Sequence, residues 1–138
     1  EVKKGDKILE VGTGSGYQAC VLSLLGAKVY TIERQRALYE TTDKLLRELG
    51  FGAIRTFLGD GYEGLKMFAP FDKILVTAGA TALPENLINQ LVIGGYLVIP
   101  IGGDDVQTMW RYTKVTETEI KSESFGKFKF VPFLKGTQ

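Results

Sequence analysis

Three glycines in five positions, Gly12, Gly14 and Gly16, lie between the short apolar run Lys7 to Val11 and a helix-like stretch. A glycine-rich turn between a strand and a helix lets backbone approach a ligand closely and presents free N–H groups at the helix start. That chemistry suits a nucleotide-like group. The spacing departs from both phosphate-binding patterns: Tyr17 stands where G-x-G-x-x-G needs its late glycine, and no Gly-Lys-Ser or Gly-Lys-Thr follows.

Acidic residues accompany the turn. Glu10 precedes it, Glu33 closes the next apolar run, and Asp60 follows the third, all at the carboxyl ends where α/β sheets bind ligands. Carboxylates repel phosphate and accept from hydroxyls and amines, so Glu33 suits a pair of ribose hydroxyls, Asp60 an adenine amino group and Glu10 an ammonium. S-adenosylmethionine carries all three donors and no phosphate. Taken singly, the glycines equally serve a structural tight turn, and Glu33 or Asp60 would more often be a solvated strand end or a helix cap. Their order after successive strands is what argues for a site.

The elements that must position these residues follow from periodicity. Lys7 to Val11 reads as a buried strand, Gln18 to Leu25 as a helix stopped by Gly26, Lys28 to Ile32 as a second strand, and Ala37 to Leu49 as a second helix. Ile54 to Leu58 and Lys73 to Thr77 continue the strands. A helix opened by Pro84 runs through Leu87, Ile88 and Leu91 to Gly94-Gly95, and Tyr96 to Ile101 makes a fifth strand. Strands alternating with helices predict an α/β fold, a doubly wound and mostly parallel sheet. Gln107 to Val115 and Phe125 to Leu134 are rich in β-branched and aromatic residues and predict an antiparallel C-terminal end.

Composition narrows the chemistry. A chain of 138 residues, 44% hydrophobic, fits one domain with one core, here residues 1–138, and nothing marks an internal boundary. A formal charge of +1 supplies no field for nucleic acid or an anionic membrane. With no histidine and the single cysteine Cys20, Ser-His-Asp and Cys-His catalysis and zinc clusters are excluded, and no metal is expected. One cysteine and no visible signal sequence give a cytoplasmic expectation. The chain begins at Glu1 without a Met and reads as a fragment of a longer protein.

Other residues carry bland readings. Cys20 sits among Ala19, Val21 and Leu22 as a small buried thiol, Phe128 and Phe130 alternate as in a core strand, and Trp110 suits core or partner surface.

In order and spacing, "ILEVGTGSGYQACVLSLLG", "GDGYEG", "APFDKILVTAGATALPENLINQL", "GGYLVIPIG" and "FVPFLKG" resemble the class I S-adenosylmethionine-dependent methyltransferases, and more narrowly the protein-L-isoaspartate O-methyltransferase family. The resemblance covers nearly the whole chain. It implies that Gly12, Thr13, Gly14, Ser15 and Gly16 wrap the methionine part of the cofactor, with Glu10 before them. It places Glu33 with Arg34 at the ribose, Gly59, Asp60 and Gly61 at the adenine, and Thr77 and Ala78 on the methionine side. It also sets the backbone of Val131, Pro132 and Phe133 beside an isoaspartyl peptide.

The implied reaction methylates the α-carboxyl of L-isoaspartyl residues in damaged proteins and peptides and leaves S-adenosylhomocysteine. A carboxylate is ionised at neutral pH and needs no general base, so catalysis is positioning and limited solvation. Family members carry a Ser-Gln-Pro motif before the glycine turn, whose hydroxyl residues contact the acceptor carboxylate; this chain starts after that point. A non-catalytic adenosyl-binding module is the second expectation. A nicotinamide-dependent oxidoreductase is disfavoured by Tyr17.

Overall fold

The computed structural model describes residues 2–77, 80, 82–102 and 106–128. The elements in chain order are β1 (Lys7–Val11), α1 (Tyr17–Leu24), β2 (Lys28–Glu33), α2 (Arg36–Glu48), β3 (Arg55–Leu58), β4 (Phe71–Val76), α3 (Glu85–Asn89), β5 (Leu91–Gly102), β6 (Gln107–Lys114) and β7 (Ile120–Phe128), with 3₁₀ turns at Gly61–Glu63 and Lys66–Phe68. Among the described residues the strands form one sheet in the order β3-β2-β1-β4-β5-β6-β7. The first five are parallel, and β6 and β7 add antiparallel. The expected α/β class and antiparallel end are both present.

Strand alternation divides the core between two sheet faces. Ile8 and Val29 pack with Ala19, Leu22, Leu46 and Ile54 beneath α1 and α2. Leu9, Val11 and Ile32 join Ile74, Leu87 and Leu97 on the opposite face, which α3 covers. Glu10 shares the α1 and α2 face with Ile8, so the first strand drives a carboxyl into this layer, where the buried hydroxyl of Thr31 from β2 meets it. Trp110 stacks on Tyr112, ring centroids 5.8 Å apart, and packs against the α3-side core. Cys20 is a half-buried free thiol whose pKa burial pushes up, as expected of a packing residue.

The structure corrects two boundaries. The helix expected to run through Leu91 ends at Asn89, and β5 begins at Leu91. Leu91 pairs with Phe71 and Tyr96 with Lys73, so the glycine pair is an irregularity inside a strand. Gly94 adopts φ +88°, and a Cβ on Gly95 would lie 2.6 Å from the Asp72 carbonyl oxygen. The glycines permit a bulged pairing rather than ending a helix. The strand expected over Phe125 to Leu134 begins at Ile120, and its residues from 129 onward lie outside the described set. Its opening residues lack the apolar alternation of a strand; pairing with β6, including an Arg111–Glu123 ion pair at 3.0 Å, holds them.

Candidate functional site

β1 delivers the glycine turn to the carboxyl edge of the sheet, where the order reverses between β2 and β4. The Gly12 and Thr13 N–H groups both donate to the Ile32 carbonyl, at 2.8 and 3.2 Å, lashing the turn to β2. On its other side Thr77 Oγ1 lies 3.0 Å from the carbonyl oxygens of Val11 and of Gly12. Gly12 has φ +101°, and a Cβ there would meet Thr77 Oγ1 at 2.4 Å. A Cβ on Gly14 would meet nothing within 4 Å, so the tip of the turn is open to a ligand.

Glu33 is buried, and each of its oxygens already accepts a backbone N–H: Oε1 from Gly14 at 3.0 Å and Oε2 from Gln35 at 2.9 Å. Gln35 precedes the first turn of α2, so this carboxylate joins the glycine turn to the start of a helix. Each oxygen keeps a lone pair for a hydroxyl donor. Thr42, absent from the sequence-derived site, donates from its hydroxyl to the Gly14 carbonyl at 2.8 Å and fixes the turn from α2.

Glu10 is fully buried. Thr31 Oγ1 donates to its Oε1 at 2.7 Å, and Thr13 Oγ1 lies 2.6 Å from Thr31 Oγ1. Its second oxygen, Oε2, is buried with no hydrogen-bond partner. Burial pushes the Glu10 carboxyl up to about 7; the Thr31 hydrogen bond opposes the rise and the nearby Glu33 charge adds to it. Burial with one oxygen unpaired disfavours the ionised form, which a cationic donor would favour.

Asp60 follows β3 and accepts the Tyr62 N–H at 3.0 Å through Oδ1, capping the short turn that contains Gly61. Beside it opens a cavity of about 350 Å³ lined by Ile32, Phe57, Leu58, Gly59, Asp60 and Leu65 among others. That volume lies within the range of small-molecule sites. Its apolar walls come from residues that read in the sequence only as strand and loop, and no motif signals them. The wall is braced by Gln90, which accepts the Leu65 N–H at 2.9 Å and donates to the Glu63 carbonyl at 2.8 Å.

The remaining expected residues divide. Ser15 is exposed beside the turn and accepts the Tyr17 N–H at a long 3.4 Å, and Arg34 is half-buried after Glu33. Ala78, Val131, Pro132 and Phe133 lie outside the described residues. Among the described residues no cluster of three metal-ligating side chains occurs, and no helix is long and apolar enough to cross a membrane. The open turn follows β1, the Glu33 carboxylate ends β2 and the cavity edged by Asp60 follows β3, so all three sit at the carboxyl ends of neighbouring parallel strands.

The chain matches the family model described as protein-L-isoaspartate(D-aspartate) O-methyltransferase over residues 1–138. It is 55% identical over 135 residues to the protein-L-isoaspartate O-methyltransferase of Christiangramia forsetii, covering 98% of this chain and 63% of that one. A solved protein-L-isoaspartate O-methyltransferase superposes with a TM-score of 0.88 at 30% identity, over 95% of this chain and 43% of the other. A Plasmodium falciparum protein described as belonging to the same class, solved with S-adenosyl-L-homocysteine, gives 0.85 at 26% identity, over 98% and 68%. The chain thus spans a little under two thirds of the length of the curated relatives it matches. With its glycine turn, strand order and near-complete match agreeing, the chain belongs to the protein-L-isoaspartate(D-aspartate) O-methyltransferase family.

Proposed function

We propose that this chain is the adenosyl-binding part of an S-adenosylmethionine-dependent methyltransferase whose acceptor is the α-carboxyl of L-isoaspartyl residues in proteins and peptides. The observation that carries the reading is the open glycine turn set against a buried carboxyl oxygen with no partner, in a chain of this family.

Glu10 would neutralise an ammonium through Oε2, the turn from Gly12 to Gly16 would cradle the chain that follows, Glu33 would accept from ribose hydroxyls, and Asp60, at the cavity that Ile32 and Leu58 also line, would accept from an adenine amino group. The cofactor supplies an electrophilic methyl group on a sulfonium. The residues of this chain bind, orient and shed water; the acceptor carboxylate is ionised at neutral pH and asks for no proton transfer. Val131, Pro132 and Phe133 are proposed to border the isoaspartyl peptide.

Calorimetric titration with S-adenosylhomocysteine, alongside an assay of methyl transfer to an isoaspartyl peptide, tests the reading. Binding with transfer supports all of it. Binding without transfer reduces these residues to an adenosyl-binding module, and binding of NAD in place of S-adenosylhomocysteine overturns it.

A further inference from the structure

Thr31 belongs to no glycine or acidic motif, yet it is fully buried at the centre of the site's only described hydroxyl relay. An ionised Glu10 can only accept, so the Thr31 proton points to Oε1 and the Thr13 proton to Thr31 Oγ1. Thr13 is in turn the hinge of the turn: its N–H bonds to Ile32 of β2 and its carbonyl accepts the Gly16 N–H at 3.0 Å. We propose that Thr31 is a positioning residue, whose hydroxyl locks the glycine turn to Glu10 and aims the second carboxyl oxygen at the ligand.

The groups around the relay make the coupling readable. Glu33 from the end of β2 and the Cys20 thiol from α1 are the titratable groups that act with Glu10, while β4 places the apolar Leu75 beside it. When Glu10 takes up a proton, the driving force that orders the two hydroxyls weakens, and the turn feels it through Thr13. Removing the Thr31 hydroxyl leaves Oε1 and the Thr13 hydroxyl buried without this bond, a loss that an apolar side chain of the same shape does not repair.

The inference rests on the adenosyl-binding reading for its ligand measurement alone, because the free protein supplies a second one. Carboxyl-carbon and amide NMR titrations of the whole chain are compared for the natural protein, Thr31→Ser and Thr31→Val. In the natural protein and the serine variant, the amides of Gly12, Thr13 and Gly14 should shift at the Glu10 midpoint. In Thr31→Val that midpoint should rise, the amides should stop following it, and S-adenosylhomocysteine should bind about tenfold more weakly or worse. Turn amides that ignore Glu10 in the natural protein, or a valine variant with unchanged midpoint and unchanged amides, overturn the proposal. Should Thr31→Val fail to fold, the natural protein and Thr31→Ser decide it. If the amides follow Glu10 but S-adenosylhomocysteine does not bind, the proposed function fails with the aiming of Oε2, and the lock between the glycine turn and Glu10 stands.

Discussion

The Thr77 hydroxyl occupies the space where a side chain on Gly12 would begin, 2.4 Å from its Cβ position. β4 therefore closes over the turn only because residue 12 is glycine, and the positive φ adds a second demand. Gly12→Ala should lose about 2–4 kcal/mol of stability in urea denaturation, the sum of backbone strain and overpacking. Adding Thr77→Ala should return the packing share and leave the strain, so incomplete recovery in the double variant is the expected outcome.

Glu33→Ala should weaken S-adenosylhomocysteine binding by about 1.5–3 kcal/mol, as for hydrogen bonds to a charged group. The same variant also frees the Gly14 and Gln35 N–H groups, so a smaller loss of stability should accompany it. Unchanged affinity in calorimetry would limit Glu33 to its structural bonds.

Asp60 has a capping bond that can be separated from ligand contact. Asp60→Asn keeps an oxygen for the Tyr62 N–H, whereas Asp60→Ala should cost about 1 kcal/mol through the lost cap. Both should bind S-adenosylhomocysteine more weakly. An alanine variant with lower melting temperature and normal affinity would make Asp60 a cap and nothing more.

Glu10 should make stability fall as pH rises. Its folded value of about 7 stands above the ordinary 4.5, so the folded state holds the extra proton between those values and loses relative stability across that window. At 1.36 kcal/mol per unit the loss approaches about 3 kcal/mol above the folded value. Glu10→Gln should therefore match the natural protein near the low end of the window and exceed its stability above about pH 8 in urea titrations. It should also bind S-adenosylhomocysteine less tightly. A natural protein with flat stability across the window would contradict the burial of an ionisable group.

The parallel half of the fold is legible because β1 and β4 are largely buried and α1 and α2, each with a clear glycine stop, separate the first three strands. The glycine turn, Glu10, Glu33 and Asp60 could be named because their spacing follows the strand ends. The end of α3 could not: Leu91 fits a helical stripe as well as a strand, and only pairing with Phe71 decides it. The opening of β7 was hidden for a related reason, since Lys121, Ser122 and Glu123 carry no pattern and are ordered by β6. The partners of the site were the least visible. Thr31, Thr42 and Gln90 act across 21, 28 and 25 residues of chain respectively, and such contacts leave no local trace.

Gln90 shows what that distance implies. One amide side chain at the end of α3 supplies both an acceptor and a donor to the segment Glu63 to Leu65, and the backbone carbonyl of Gln90 receives the Phe71 N–H at 2.7 Å. A Cβ on Gly64 would collide with it at 2.3 Å, so the segment is pressed flat against the clamp. The cavity wall is thus not an independent loop but an annex of the helix. It should resist hydrogen exchange for as long as α3 stays docked and open only when that unit opens, which makes the lifetime of the cavity's shape a property of apolar packing some way behind it.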